Sequence, residues 1–282
     1  MAKASQPTVV GRGLGGELRE LRDARRMAQR RVAIRLGWQP SKLSRIENGI
    51  QGVSAADVAS LLVIYGVTGD ARKRLLGMAE RSAEVGWWEA IGGLSEESRT
   101  LIRLEAEATA IVNWEPMLVP GLLQTADYAQ AVMVGCGVPA EEAQGRVAAR
   151  LGRQAVLTRP TPPTLHVLLD EMVLRRALGG ARVMGRQLRH LVEAADRPGL
   201  TLRVVPLAVG GHTGLDGSFA LFDFPRNRSV VFLDHKLTGL FLEEAPQVAH
   251  FRREVDRLVE VALSPVDSVE LVARYATEHE RE

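Results

Sequence analysis

The sequence predicts two domains of different class: an N-terminal all-α domain of five helices, and a C-terminal α/β domain of mixed pattern. Three observations carry this prediction. Across residues 14–82 apolar residues recur at helical spacing, with no alternating strand pattern between them. After the proline-rich link Thr158-Arg159-Pro160-Thr161-Pro162-Pro163, short apolar runs of strand length alternate with helical stretches. The chain has 282 residues, 46% hydrophobic and 25% charged, which suits about two globular domains.

Taken in order, residues 1–13 read as a disordered start. Leu14, Leu18 and Leu21 mark a first helix over 15–26, and Val32, Ala33 and Leu36 a second over 29–36. Gly37 breaks it, and Pro40 suits the first turn of a third helix that carries Leu43 and Ile46 and stops at Asn48-Gly49. Ser54 caps a fourth helix to residue 65, and a fifth spans 70–82. Residues 83–158 read as a helical connecting region: helices over 97–112, 125–134 and 139–157, with one extended piece at Met117-Leu118-Val119. Residues 159–282 form the α/β domain. Strands are predicted at 165–169, 200–205, 219–224 and 230–233, and helices at 171–178, 182–195, 246–262 and 265–278. A glycine-rich loop spans 209–217.

The net charge of +2 hides an asymmetry. Residues 1–82 hold 15 Lys/Arg against 7 Asp/Glu, a net of +8, and the remainder is net −6. A basic front meets a polyanion; an acidic body meets something else. The longest apolar run, 61–65, is far short of a membrane helix. The first fifteen residues lack the apolar core of a signal peptide, and Cys136 alone builds neither a disulfide framework nor a cysteine-based zinc cluster. The expectation is a cytoplasmic, nucleoid-associated protein with no membrane partner.

Residues 29–49 give a short helix, a glycine turn and a second short helix in basic surroundings, the pattern of a helix-turn-helix. The second helix would enter the major groove of double-stranded DNA. Pro40, Ser41, Lys42 and Arg45 lie on its exposed N-terminal side, and Gln39, in the turn before it, is a further candidate for DNA contact. Arg45 suits a bidentate contact to guanine, Ser41 a base edge or phosphate, and Lys42 and Arg30 the phosphates. The segment from Leu14 to Ser82, through Arg22, Gln29, Ala33, Leu36-Gly37 and Ser44-Arg45-Ile46-Glu47-Asn48-Gly49, resembles phage-repressor-like (XRE-type) regulators. The resemblance implies an ion pair between Arg22 and Glu47, and phosphate contacts by Gln29 and Asn48. The chain departs from that family at Ala28, where a capping Thr or Asn is usual, and at Arg30-Arg31, where Glu is frequent.

Gly86-Trp87-Trp88, Glu105, Trp114-Glu115-Pro116-Met117-Leu118-Val119-Pro120-Gly121-Leu122-Leu123-Gln124-Thr125, Arg150, Arg153-Gln154, Glu171 and Gly217-Ser218-Phe219 are similar to a domain of unknown function. That domain follows such a helix-turn-helix in many actinomycete regulators. The resemblance implies a sensory or partner-binding role in antitoxin-like transcriptional regulators, with a small protein partner from a neighbouring gene.

The second domain's residues offer few reactive groups. None of the six histidines pairs with another at helical metal spacing. No P-loop, dinucleotide fingerprint or nucleophile elbow is present. His212, with Asp216-Gly217-Ser218, faintly echoes a phosphodiesterase histidine motif without its lysine, and a plain loop is favoured. Trp114, Gln124, Tyr128 and His212 are the candidate lining of a ligand or partner pocket, weighed against a packed hinge. The sequence therefore predicts a transcriptional regulator, not an enzyme, with no cofactor and no metal. It would bind its operator as a homodimer, in the manner of a repressor, and sense a small-molecule effector or a protein. The alternative is an antitoxin-like adaptor that binds a small cognate protein and regulates its own operon.

Overall fold

The computed structural model describes residues 9–48, 53–83, 94–225, 228–235 and 238–281. The chain divides into two compact units, residues 1–87 and 88–282. The Gly49 stop, Gly86-Trp87-Trp88, residues 1–8 of the expected disordered start and residues 226–227 of the expected strand-to-strand turn lie outside the described residues.

The first unit is helical: α1 (Val9–Ala24), α2 (Gln29–Arg35), α3 (Pro40–Glu47), α4 (Ala55–Ile64) and α5 (Gly69–Ala83). Leu14, Leu18, Val32, Ala33, Leu43, Ile46 and Leu61 close one core, with Leu21 and Leu36 packed at its margin. Ser54 caps α4 by accepting from the Asp57 amide at 3.0 Å. Ala28 gives α2 no side-chain cap. α1 starts at Val9 and not at residue 15, so the expected disordered start is corrected from residue 9 onward. Glycine lowers helix propensity by about 1 kcal/mol without forbidding a helix. Gly15 is required there: a Cβ would lie 2.2 Å from the Ile46 carbonyl oxygen, so only glycine lets α1 press onto α3.

The second unit runs α6 (Glu96–Glu107), β1 (Ala110–Glu115), α7 (Ala126–Gly135), α8 (Ala140–Arg153), β2 (Thr164–Asp170), α9 (Glu171–Arg175), α10 (Ala181–Ala195) and β3 (Leu200–Val205). It continues with β4 (Phe219–Asp223), β5 (Val230–His235), β6 (Thr238–Leu242), α11 (Ala245–Val261) and α12 (Pro265–Arg281). Single turns of 3-10 helix lie at Gly121–Leu123, Gln154–Thr158, Leu207–Val209 and Thr213–Asp216. The strands form one mixed sheet in the order β3-β2-β1-β4-β5-β6. β1, β2 and β3 are parallel, joined by the helical crossovers that parallel pairing requires. β4, β5 and β6 continue the sheet antiparallel.

Three expectations are corrected. Residues 110–112 are not the end of a helix but the start of the strand β1, which runs to Glu115 and is paired on both sides. The segment 83–158 therefore supplies a central strand and is not a purely helical connector. Ile111, Val112 and Trp114 fit a helical stripe and a half-buried strand equally well, and pairing with β2 and β4 decides. Met117-Leu118-Val119, expected as an extended piece, is a bend followed by irregular chain and joins no sheet. β6 was not predicted, because the glycine in Thr238-Gly239-Leu240-Phe241-Leu242 masks its strand character. α8 also stops at Arg153 and α9 at Arg175, earlier than the spacing suggests.

The pleat divides the sheet into two faces. Val112, Trp114, Leu168, Leu221 and Val231 share one, packed against Val248 and Leu258 of α11. Ile111, Asn113, Glu115, Ala220 and Phe232 share the other.

Candidate functional site

The helix-turn-helix is closed by backbone bonds around Gly37, whose φ of +67° is the left-handed conformation a glycine adopts freely. The Trp38 amide donates to the Ala33 carbonyl at 2.8 Å, and Pro40 opens α3. Behind α3 lies a buried ion pair. Arg22 Nε and Nη2 donate to the two Glu47 carboxylate oxygens at 2.7 and 2.9 Å. Tyr65 Oη donates to the same carboxylate at 3.5 Å. The hydrogen bond to Glu47 holds the Arg22 guanidinium above its ordinary pKa, and burial with the Glu47 charge raises the Tyr65 hydroxyl. The resemblance implied this pair, and the fold positions it to lock α1 to α3.

The residues proposed for DNA contact fall into two groups. Arg30, Gln39, Ser41 and Arg45 are exposed and form no side-chain hydrogen bond or ion pair among the described residues. Ser41 and Arg45 are one helical turn apart and therefore share a face of α3. Gln29, Lys42 and Asn48 are engaged within the protein. Gln29 Nε2 donates to Glu47 at 2.9 Å. Lys42 Nζ donates to Asp57 at 3.1 Å and lies 4.0 Å above the Trp38 ring. Asn48 accepts from Arg19 at 3.4 Å and donates to Ser44 Oγ at 3.3 Å. Sequence reasoning missed Asp57, which sits on α4 and meets Lys42 only through the fold.

In the second unit Trp114 is wholly buried, and its indole N–H donates to the Gly214 carbonyl at 2.9 Å. A Cβ on Gly214 would fall 2.4 Å from the indole, so glycine is needed for this close approach. His212 meets the Trp114 ring edge-on at 5.4 Å. Its Nδ1 accepts from the Gly214 amide at 3.2 Å, which leaves the Nε2 proton for Asp170 Oδ2 at 3.1 Å. The glycine-rich loop is thus pinned to the end of β2.

Residues 14–75 match the helix-turn-helix domain family. Residues 98–274, more than half of the chain, match the domain of unknown function DUF5753. The chain belongs to this family. The helix-turn-helix domain points to a DNA-binding regulator rather than an enzyme. No curated protein and no solved structure matches the chain.

Within the DUF5753 domain the other two residues of the expected pocket lining also make hydrogen bonds inside the protein. Gln124 is buried; its Nε2 donates to the Val119 carbonyl at 2.6 Å and its Oε1 accepts from Arg150 at 2.9 Å. Tyr128 Oη accepts from the Val119 amide at 3.2 Å. Trp114 and His212 thus form one cluster, and Gln124 and Tyr128 meet at Val119 in another; their polar tips are taken up by the loops they hold. Gln187, on α10, clamps the same turn by accepting from Thr125 N at 2.7 Å and donating to Leu123 O at 2.8 Å.

The DUF5753 domain does gather charge elsewhere. Arg153 makes a bidentate ion pair with Glu105 at 2.8 and 2.5 Å. Burial pushes the Glu115 carboxyl up to about 8 against its Asn113 hydrogen bond, and Asp234 adds to the rise. Burial, then the Arg153 charge, brings the Arg150 guanidinium down to about 10. Partial desolvation also raises the carboxyl of the exposed Asp234. Glu105, Glu115, Arg150 and Arg153 all stand among the residues that carry the family resemblance; Asp234 does not. No group of three or more His, Cys, Asp or Glu suited to a metal ion occurs among the described residues, nor a helix long and apolar enough to cross a membrane.

Proposed function

We propose that this protein is a sequence-preferring transcriptional regulator that binds its operator through α3 as a homodimer. The observation that carries the reading is the free Arg45, one turn from Ser41, on a helix fixed from behind by the Arg22–Glu47 pair. A guanidinium with no protein partner on a rigid helix is preorganised for a guanine edge. Lys42, Gln29 and Asn48 orient this surface and border it, and the exposed Arg30 faces phosphate. A single recognition helix of eight residues reads few base pairs, so a strong site calls for two copies. The DUF5753 domain provides the dimer contact and receives the signal, a small ligand or a small protein from a neighbouring gene. The signal changes the spacing of the two heads and with it the affinity for DNA.

A gel-shift titration on the DNA upstream of the protein's own gene tests this. Specific binding is expected to exceed binding to scrambled DNA, and Arg45→Ala to lose about 1–3 kcal/mol of that discrimination. Binding with no sequence preference, or a preference untouched by Arg45→Ala, would remove operator readout by α3 and favour the adaptor that binds a small cognate protein.

A further inference from the structure

Glu115 ends β1, and Asp234 lies one residue before the end of β5. These strands run in the same direction on either side of β4. Trp114 pairs with Phe219, and Ala220 pairs with Phe232. The register therefore sets Glu115 and Asp234 both level with residue 218, one position before β4 begins at Phe219. The sheet is notched here: beyond Phe219 no strand separates β1 from β5. Two strand spacings place the two backbones roughly 10 Å apart. By the pleat, both residues belong to the face opposite Trp114. The notch lies at the carboxyl ends of β1, β2, β3 and β5, where the chain passes from β3 across β1 to β4. Open α/β sheets place ligand crevices at such switch points.

α8 brings two arginines to the notch. Arg150 and Arg153 both lie within electrostatic reach of Glu115 and of Asp234. Arg153 is neutralised by Glu105. Arg150 donates one N–H to the neutral Gln124 and forms no ion pair among the described residues. Glu115 accepts only from the Asn113 amide, at 3.3 Å, and it and Asp234 likewise form no ion pair among the described residues. Glu115 and Arg150 are each only partly exposed, so each charge is partly desolvated. Opposite charges have been brought together and held apart. Each charged form is costly until a partner of opposite sign arrives. A metal ion suits the notch poorly, because the Arg150 and Arg153 charges act on both carboxylates. A simple anion leaves the carboxylates unserved, and a simple cation leaves Arg150 so.

We propose that the notch between β1, β5 and α8 binds a small dipolar molecule of the α-amino-acid class, its carboxylate held by Arg150 and its ammonium group by Glu115 and Asp234. This deepens the ligand-sensing reading and rests on it for any effect on DNA; the binding itself is measured without DNA. The experiment is isothermal titration calorimetry of the full chain with each of the common L-α-amino acids. Propionate and propylamine, which carry one charge each, are the controls. At least one amino acid is expected to bind with Kd near or below about 1 mM, and both controls at least tenfold more weakly. Arg150→Gln, Glu115→Gln and Asp234→Asn should each weaken binding about tenfold or more, with circular dichroism showing the fold retained. Asp234 is exposed, so its variant keeps the test decisive if an interior variant fails to fold. The absence of binding by every amino acid, equal binding of a single-charge control, or indifference to Asp234→Asn would each overturn the proposal. Gel shifts without amino acid report separately on the regulator reading. Calorimetric binding beside a failed gel shift keeps the notch and rejects the regulator, and the reverse result does the opposite.

Discussion

Glu47 shows how much one side chain holds at the residue scale. Its carboxylate receives Arg22, Gln29 and Tyr65, from α1, α2 and the end of α4, while it sits on α3. Glu47→Ala would leave the Arg22 guanidinium buried without its counter-charge, and the expected loss is about 3–5 kcal/mol in urea denaturation. A loss below about 1 kcal/mol, the range of a surface pair, would mean that water replaces the partner. Glu115 makes a second prediction. Its carboxyl is pushed up to about 8 by burial, and in the unfolded chain it returns to the ordinary value near 4.3. The folded state then binds the proton more tightly. The contribution of Glu115 to stability is full below the unfolded value and is lost as pH rises through about 8. Glu115→Gln should therefore flatten the fall of Tm between about pH 5 and pH 8, and identical slopes in the two proteins would contradict the burial of this carboxyl.

At the scale of the element, α2 and α4 form a natural comparison. Both N-caps have extended backbone, Ala28 at φ −69° and ψ 132°, Ser54 at φ −75° and ψ 154°. Only Ser54 supplies an oxygen to the first turn. Ala28→Ser should let a hydroxyl accept from the same kind of free amide and stabilise the helical unit by about 1 kcal/mol. Thermal denaturation measures it, and an unchanged or lowered Tm would show that the first turn of α2 is already satisfied. β1 teaches the converse. Ala110–Glu115 has a residue pattern open to helix or strand, and strand is what it becomes because β2 and β4 saturate its backbone on both sides. Being central, it sets Trp114 toward α11 and Glu115 on the opposite face of the sheet.

At the scale of the whole molecule, charge is divided between the two parts of the chain, +8 over residues 1–82 and −6 over the rest. Such a head should bind DNA with a strong salt dependence, the affinity falling by about 0.9 log unit per log unit of salt for each phosphate neutralised. Arg30→Ala should weaken specific and scrambled DNA alike and lower that slope by about 1, whereas Arg45→Ala acts on the preference between them. Gel shifts at several salt concentrations separate the two. An Arg30→Ala protein that keeps the parent slope would place Arg30 in solvent, away from the backbone.

The sequence by itself determined the elements whose signals are local. Helical spacing, the Ser54 cap, the Gly37 turn and Pro40 set out the helix-turn-helix, because caps and turns depend on the residue and its near neighbours. The Arg22–Glu47 pair was legible through resemblance, and strands β2 to β5 through their short apolar runs. Tertiary structure alone decided what depends on partners distant in the chain. It made β1 a strand, buried Trp114, Gln124 and Tyr128, tied half-buried His212 to Asp170, and turned Gln29 inward to Glu47. It also set Glu115 and Asp234 level on one face of the sheet, a separation of 119 residues bridged by two strand pairings. Sheet register fixes which side chains meet, and register is settled by the burial of whole faces rather than by any short stretch of sequence.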